Sequence, residues 1–367
     1  MGNELTEGPV TKSMLRFAVP IILGDLLQQC YNIADTVIVG RFLGADALAS
    51  VGSSFSLMTF LTSILLGLAM GSGTVFSIRF GQKDRKALKE CVLASFVLLF
   101  AVTVFLTAVI FAGMFGIFLY NFFAALLRSW GNSVVPLIFL AVSAGLNIGL
   151  DLWFVAGLEW GVAGAAGATV ISQYVSGIGI AVYTRVRFPE LIRKEKGIRL
   201  RKERIREITG FSALTCLQQS IMNLGILAVQ GLVNSFGTTI MAAFAAAVKI
   251  DAFAYLPVQD FGNAFSVFVA QNYGAGKKDR IQKGIRSAVK VSAGFGLLIS
   301  LLVVIFARPL MTLFIDAREA AVVALAYGLA AIPSVGVTGI WCSVPIGWFL
   351  ADALGTGYYL FWKKKRH

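Results

Sequence analysis

Asn147 and Asp151 stand four residues apart in the stretch LNIGLDLWFV. On a helix that spacing sets both side chains on one face, one turn apart. An amide and a carboxylate so placed can share a cation, or hold a proton in a hydrogen-bonded network. They also suit a blander arrangement, with Asp151 reaching water from a helix end and Asn147 joining two helices. Asp35, in CYNIADTVIVG, is the one carboxylate of an apolar stretch. A charge at membrane depth is costly, so such an acid faces a bundle interior or water, where it binds a cation or a proton. An interfacial aspartate near the outer end of its helix is the alternative. Asp25 and Asp352 are further acids in apolar runs. Asp251 and Asp260 share a segment with Lys249. Nine residues apart, they point to roughly opposite sides of a helix. Either can line a cavity and attract a cationic substrate, or Lys249 can neutralise one of them. Gln28, Gln218, Gln219 and Asn223 add polar groups to two other helices and complete the candidate cavity lining.

Other chemistries are missing their residues. No GxxxxGK[ST] motif is present, so ATP does not act through a P-loop. The sole histidine is His367, which removes histidine proton relays and histidine zinc sites. Cys30, Cys91, Cys216 and Cys342 form no CxxC pair and read as small packing residues. With no nucleophile–base set and no metal spacing, neither an enzyme nor a bound cofactor is expected.

The elements that must position these acids are membrane helices. The 367 residues are 57% hydrophobic and 14% charged, with mean hydropathy +0.79. Apolar runs of about 20 residues recur, each long enough to cross ~30 Å of hydrocarbon. That predicts an all-α polytopic membrane protein, where a barrel would show ~10-residue alternating segments. The net charge of +13 sits in short loops between apolar runs. This is the pattern of cytoplasmic loops, not of a nucleic-acid surface. It places the basic loops and the C-terminal KKKRH on the cytoplasmic side of the membrane, expected to be a bacterial or archaeal plasma membrane.

The second half repeats the first. LQQ at 27–29 recurs at 217–219, and GQKDR at 81–85 recurs as GKKDR at 276–280. Both basic loops fall on one side, so the copies are parallel repeats with a substrate path between them. The predicted organisation is an N-lobe bundle at 1–184, a basic linker at 185–206 with ten Lys/Arg, and a C-lobe bundle at 207–367. Two places break the plan. Between Glu90 and Arg128 lie 37 uncharged residues, too many for one span and too few for two with a loop. Beyond Arg308, two full crossings would leave KKKRH outside, against its charge.

LRFAVPIILGDLLQQCYNIADTVIVGRFLGADALASVG, LNIGLDLWFV and FGTTIMAAFAAAVKIDAFAYLPVQDFGNAFSVFVAQNYGAGKKDRI together resemble the multidrug and toxic compound extrusion (MATE) transporters over nearly the whole chain. The resemblance implies twelve helices in two six-helix lobes and an interlobe cavity. It also implies export of small organic cations coupled to inward H⁺ or Na⁺, by a monomer. About two helices are missing or shortened here, near 113–122 and after DAREA at 316–320. In one branch of that family an aspartate of helix one, an Asn and an Asp of helix five, and a threonine of helix six form the ion site. The matching residues are Asp35, Asn147, Asp151 and Thr169, and Pro20 matches a hinge proline. A flippase for lipid-linked sugars shares the superfold, but Lys249 is the only cation well inside a span. A non-transporting scaffold is the remaining alternative.

Overall fold

A computed structural model describes residues 5–43, 45–109, 114–192, 199–234 and 238–312. In lipid every backbone N–H and C=O must find an internal partner, which leaves helices for an apolar chain of this kind. The helices are α1 Val10–Leu43, α2 Ala45–Gly81, α3 Arg85–Val109, α4 Met114–Ser129 and α5 Val134–Asp151. They continue with α6 Gly161–Arg187, α7 Pro189–Ile192, α8 Lys202–Asn234, α9 Thr238–Gly274 and α10 Lys278–Thr312. A π-helical turn, Leu152–Gly157, extends α5. The fold is all-α and polytopic. Among the described residues, Leu61–Gly81, Arg85–Val104, Val134–Gly157 and Gly161–Arg187 are long and apolar enough to cross a membrane.

Two compact units divide the chain. One comprises 1–227 with 252–300; the other comprises 228–251 with 301–367 and holds the end of α8, the start of α9 and the end of α10. In the second unit, backbone at 228–234, 238–251 and 301–312 is helical. The hydrogen bonds, ion pairs and clusters that follow belong to the first.

Helix α6 shows the membrane logic. Ile171, Val175, Ile178 and Val182 are exposed along one stripe, while Ala168, Ser172, Ser176 and Ile180 are buried on the other face. Large apolar groups outside and small groups inside suit a helix set between lipid and its neighbours. The core of the first half is built on α4, which packs against α2, α3 and α6. Phe76, Phe118 and Phe122 are fully buried there. Phe96 meets Phe122 edge-on, with ring centroids 5.3 Å apart, a favoured aromatic geometry.

This helix accounts for the awkward run between Glu90 and Arg128. Its 16 residues span about 24 Å, short of the ~30 Å hydrocarbon. The segment 113–122, where shortening is expected, overlaps the start of α4. The expected anomaly after residue 316 lies outside the described residues, as do Asp352 and Cys342.

Charged ends are tied together by specific contacts. The backbones of α2 and α9 meet where Gly81 abuts Gln271 and Gly274 abuts Ile78; a β-carbon at either glycine would overlap the facing carbonyl. Ser72 of α2 and Ser212 of α8 share a 3.2 Å hydrogen bond. Buried Leu5 donates its N–H to Gln271 (3.1 Å) and accepts from Asn272 (3.2 Å). The chain's first described residues are thus held against the end of α9.

Candidate functional site

Helices α5 and α6 form an antiparallel pair joined by a short turn, with positive φ at Glu159 and Gly161. Polar rungs cross between them at helical spacing. The Ser176 hydroxyl donates to the Phe139 carbonyl (3.3 Å), and that of Ser143 donates to the Ser172 carbonyl (2.9 Å). One turn further, Asn147 Nδ2 donates to Thr169 Oγ1 at 3.4 Å. Asp151 completes the row at the end of α5. The spacing 143, 147, 151 sets Ser143 on the same face as Asn147 and Asp151. Asn147 is 2% exposed and Asp151 is fully buried.

The backbone changes register right after Asp151. The π turn Leu152–Gly157 widens the helix, and Leu158 N–H bonds back to the Trp153 carbonyl at 2.9 Å. Such insertions cluster at functional sites. No residue type in LWFVAG signals it, so sequence reading missed it.

Helix α1 packs against α5 and the π turn. It brings the Asp35 carboxylate into interaction range of Asp151. The structure therefore gathers Asp35, Asn147, Asp151 and Thr169 from three helices. Asp35 Oδ1, Asn147 Oδ1 and both carboxylate oxygens of Asp151 are buried without a donor. Two ionised carboxylates can only accept hydrogen bonds. Their mutual repulsion is relieved by a proton or a cation between them. Oxygen-rich sites of this kind suit hard cations.

A second acid pair also involves α1. Asp25 of α1 interacts with Asp260 of α9, whose carboxylate also accepts from Asn263 and feels the charge of Arg128 from α4. Asp260 is 2% exposed, and its Oδ2 has no donor. Between the two acids on α1, Gln28 hydrogen-bonds Tyr31. The pairing of Asp25 with Asp260 was not foreseen, because it depends on how two helices from different halves are rotated.

The remaining candidates are spread along α8 and α9. Gln218 is exposed and Gln219 buried. The side chains of Asn223, Lys249 and Asp251 lie outside the described residues. Pro20 sits within α1, which continues past it without a break. A metal-holding cluster of His, Cys, Asp or Glu is absent among the described residues.

A family model described as MatE matches residues 20–114 and 215–350, one stretch in each half. The probable multidrug resistance protein YoeA of Bacillus subtilis (strain 168) is 25% identical, across 97% of this chain and 95% of that one. That alignment runs over 442 positions, more than the 367 residues here. The relative thus carries stretches that this chain lacks. YpnP of the same organism, also a probable multidrug resistance protein, is 27% identical across 86% of this chain and 77% of its own. A solved MOP-superfamily transporter from Pyrococcus furiosus superposes with a TM-score of 0.80 at 22% identity. It covers 87% of this chain and 78% of that one.

Proposed function

The chain belongs to the MatE family of membrane transporters, and on that premise we propose that it exports small organic cations by exchange for H⁺ or Na⁺. The observation that carries this reading is the pairing of half-buried Asp35 with buried Asp151 beside Asn147 and Thr169, with oxygen atoms that lack donors. In the proposed cycle the ion enters from outside and binds between the two carboxylates. Helix α1 then bends near Pro20, whose missing N–H removes one intrahelical bond. The first-half cavity changes shape and releases the drug outward. One-for-one exchange balances charge, so a tenfold ion gradient, about 1.4 kcal/mol, sustains a roughly tenfold cation gradient.

The same reading assigns residues 1–184 and 207–367 to two lobes, joined by the basic linker 185–206. Gln28, Gln218, Gln219, Asn223, Asp251 and Asp260 are the candidate residues of the substrate path between them. The basic loops and the C-terminus face the cytoplasm of a bacterial or archaeal cell, and one chain suffices for transport. The relatives named for multidrug resistance support the choice of cargo.

The test is dye transport by purified protein in proteoliposomes with an imposed pH or Na⁺ gradient. Gradient-driven dye movement that is lost in both Asp35→Asn and Asp151→Asn supports the proposal. Unchanged movement and unchanged ion dependence in both variants overturn it.

A further inference from the structure

Duplication gave the chain two equivalent seams at its charged ends, and they have diverged. In the first, the start of α3 meets the start of α8. Glu90 is buried and bound by Arg201 at 3.2 Å and Arg204 at 3.4 Å, while Glu207 pairs with Arg79 and Arg204. Leu88, Cys91 and Ser95 of α3 are buried alongside. In the second seam the start of α10 meets the start of α1, where the Thr11 and Ser287 hydroxyls lie 2.7 Å apart.

Superposing GQKDR on GKKDR, 195 residues on, sets Lys283, Arg286 and Lys290 at the positions of Leu88, Cys91 and Ser95. Ile285 takes the position of Glu90. The acid has gone, and a buried neutral face has become basic. The three cations share one face of α10. With Thr11, Ser287 and Val291 they line an open cleft of about 300 Å³. Among the described residues none of the three enters an ion pair. Nearby Arg280 is already engaged, donating to the carbonyls of Leu5, Glu7 and Gly8.

The face continues as exposed apolar surface. Leu297, seven residues beyond Lys290, is 75% exposed. The 35 residues of α10 run about 52 Å, well beyond the ~30 Å of hydrocarbon. Its apolar run begins at Val291, so the basic turns stand at headgroup level and Leu297 at acyl-chain level.

We propose that the α1–α10 cleft binds the phosphate of an anionic phospholipid, whose acyl chains lie along the Leu297 face. Its assignment to the cytoplasmic leaflet rests on the orientation proposed above. A soluble anion would meet the same cations but gain nothing from the apolar strip.

Native mass spectrometry of the whole chain, released from detergent after exposure to phosphatidylglycerol or phosphatidylcholine, tests this. The expected result is one retained phosphatidylglycerol, which phosphatidylcholine does not match. Affinity should fall about 100-fold in K283Q/R286Q/K290Q, roughly fivefold for each charge near the surface. A control with the same charge loss at exposed sites, R199Q/K202Q/R206Q, should keep the lipid. Equal losses in both variants, or equal retention of phosphatidylcholine, would make the effect diffuse attraction and overturn the proposal. Displacement of the lipid by millimolar inorganic phosphate would assign the cleft to free anions and overturn it as well. If the triple variant elutes as aggregate, R286Q alone must still lose about fivefold.

Discussion

Helix α1 carries two aspartates, and the company each keeps is different. Asp35 faces Asp151 of α5, within the same half of the duplicated chain, with the neutral Asn147 and Thr169 beside it. Asp25 faces Asp260 of α9, from the other half, within reach of Arg128 and with Asn263 donating to Asp260. Ten residues separate the two acids on α1, about 15 Å along the axis and 80° short of whole turns. One helix can therefore serve two neighbours at once. The difference is in charge balance. The Asp35–Asp151 site has two acids and no base among its described neighbours, so it needs positive charge from outside. The Asp25–Asp260 site has one cation, Arg128, within reach of its two acids. On the function proposed above, the first takes up an ion and releases it, while the second joins α1 to α9.

The largest effect that follows is on coupling. Asp151→Asn removes one of the two carboxylates that would hold the ion. In proteoliposomes with a tenfold inward ion gradient, the dye gradient should collapse from about tenfold to none. Asp35→Asn should do the same, and the double variant should add nothing, because both act on one bound ion. Additive partial losses would break the assignment of the two acids to a single site.

Asp260→Asn sharpens the contrast from the other side. It removes the like charge facing Asp25 along with the one facing Arg128, and its amide oxygen can still accept from Asn263, so stability should shift by no more than about 1 kcal/mol. Thermal unfolding in detergent reads that shift. Transport should slow but still follow the imposed ion gradient. If ion dependence disappears while the protein stays folded, the two pairs do the same job and the comparison fails.

Much of this was legible in the sequence, for physical reasons. Asp35, Asn147 and Asp151 are conspicuous because membrane helices tolerate few acids, and i,i+4 spacing fixes a shared face. The run between Glu90 and Arg128 has the wrong length for whole spans, and the short α4 accounts for it. What was not legible depends on rotation and packing. Asp25 and Asp260 are 235 residues apart, and nothing in either segment says which faces turn toward each other. The π turn after Asp151 touches both α1 and α6, and no residue type in it announces a change of register. Ser143 was overlooked because a serine in an apolar run is ordinary until its partner on α6 is known.

The first seam offers a smaller effect that tests the role of the second pair. If Asp25–Asp260 is one of several ties between halves, loosening another should cost stability without touching coupling. Glu90→Gln does this: it leaves Arg201 and Arg204 without their shared acid. Arg201 is half exposed, and exposed pairs contribute little. Arg204 retains Glu207 at 3.1 Å. The expected loss is about 1 kcal/mol, visible as a modest drop in unfolding temperature with gradient-driven transport unchanged.

Thr169→Val carries the smallest expected effect and says the most about the ion. The Asn147–Thr169 bond is long at 3.4 Å, so its loss should cost no more than about 0.5–1 kcal/mol of stability. Valine keeps the shape and removes one oxygen. A proton needs only a carboxylate to sit on, so a proton-driven carrier should run at near-normal rate with Thr169→Val. A Na⁺ ion gathers several oxygen ligands, and the loss of one should raise the Na⁺ concentration needed for half-maximal transport severalfold. Dye transport titrated with Na⁺ at fixed pH, and then with pH at fixed Na⁺, separates the two. A shift in neither titration would take Thr169 out of the site and leave the two carboxylates with Asn147 alone.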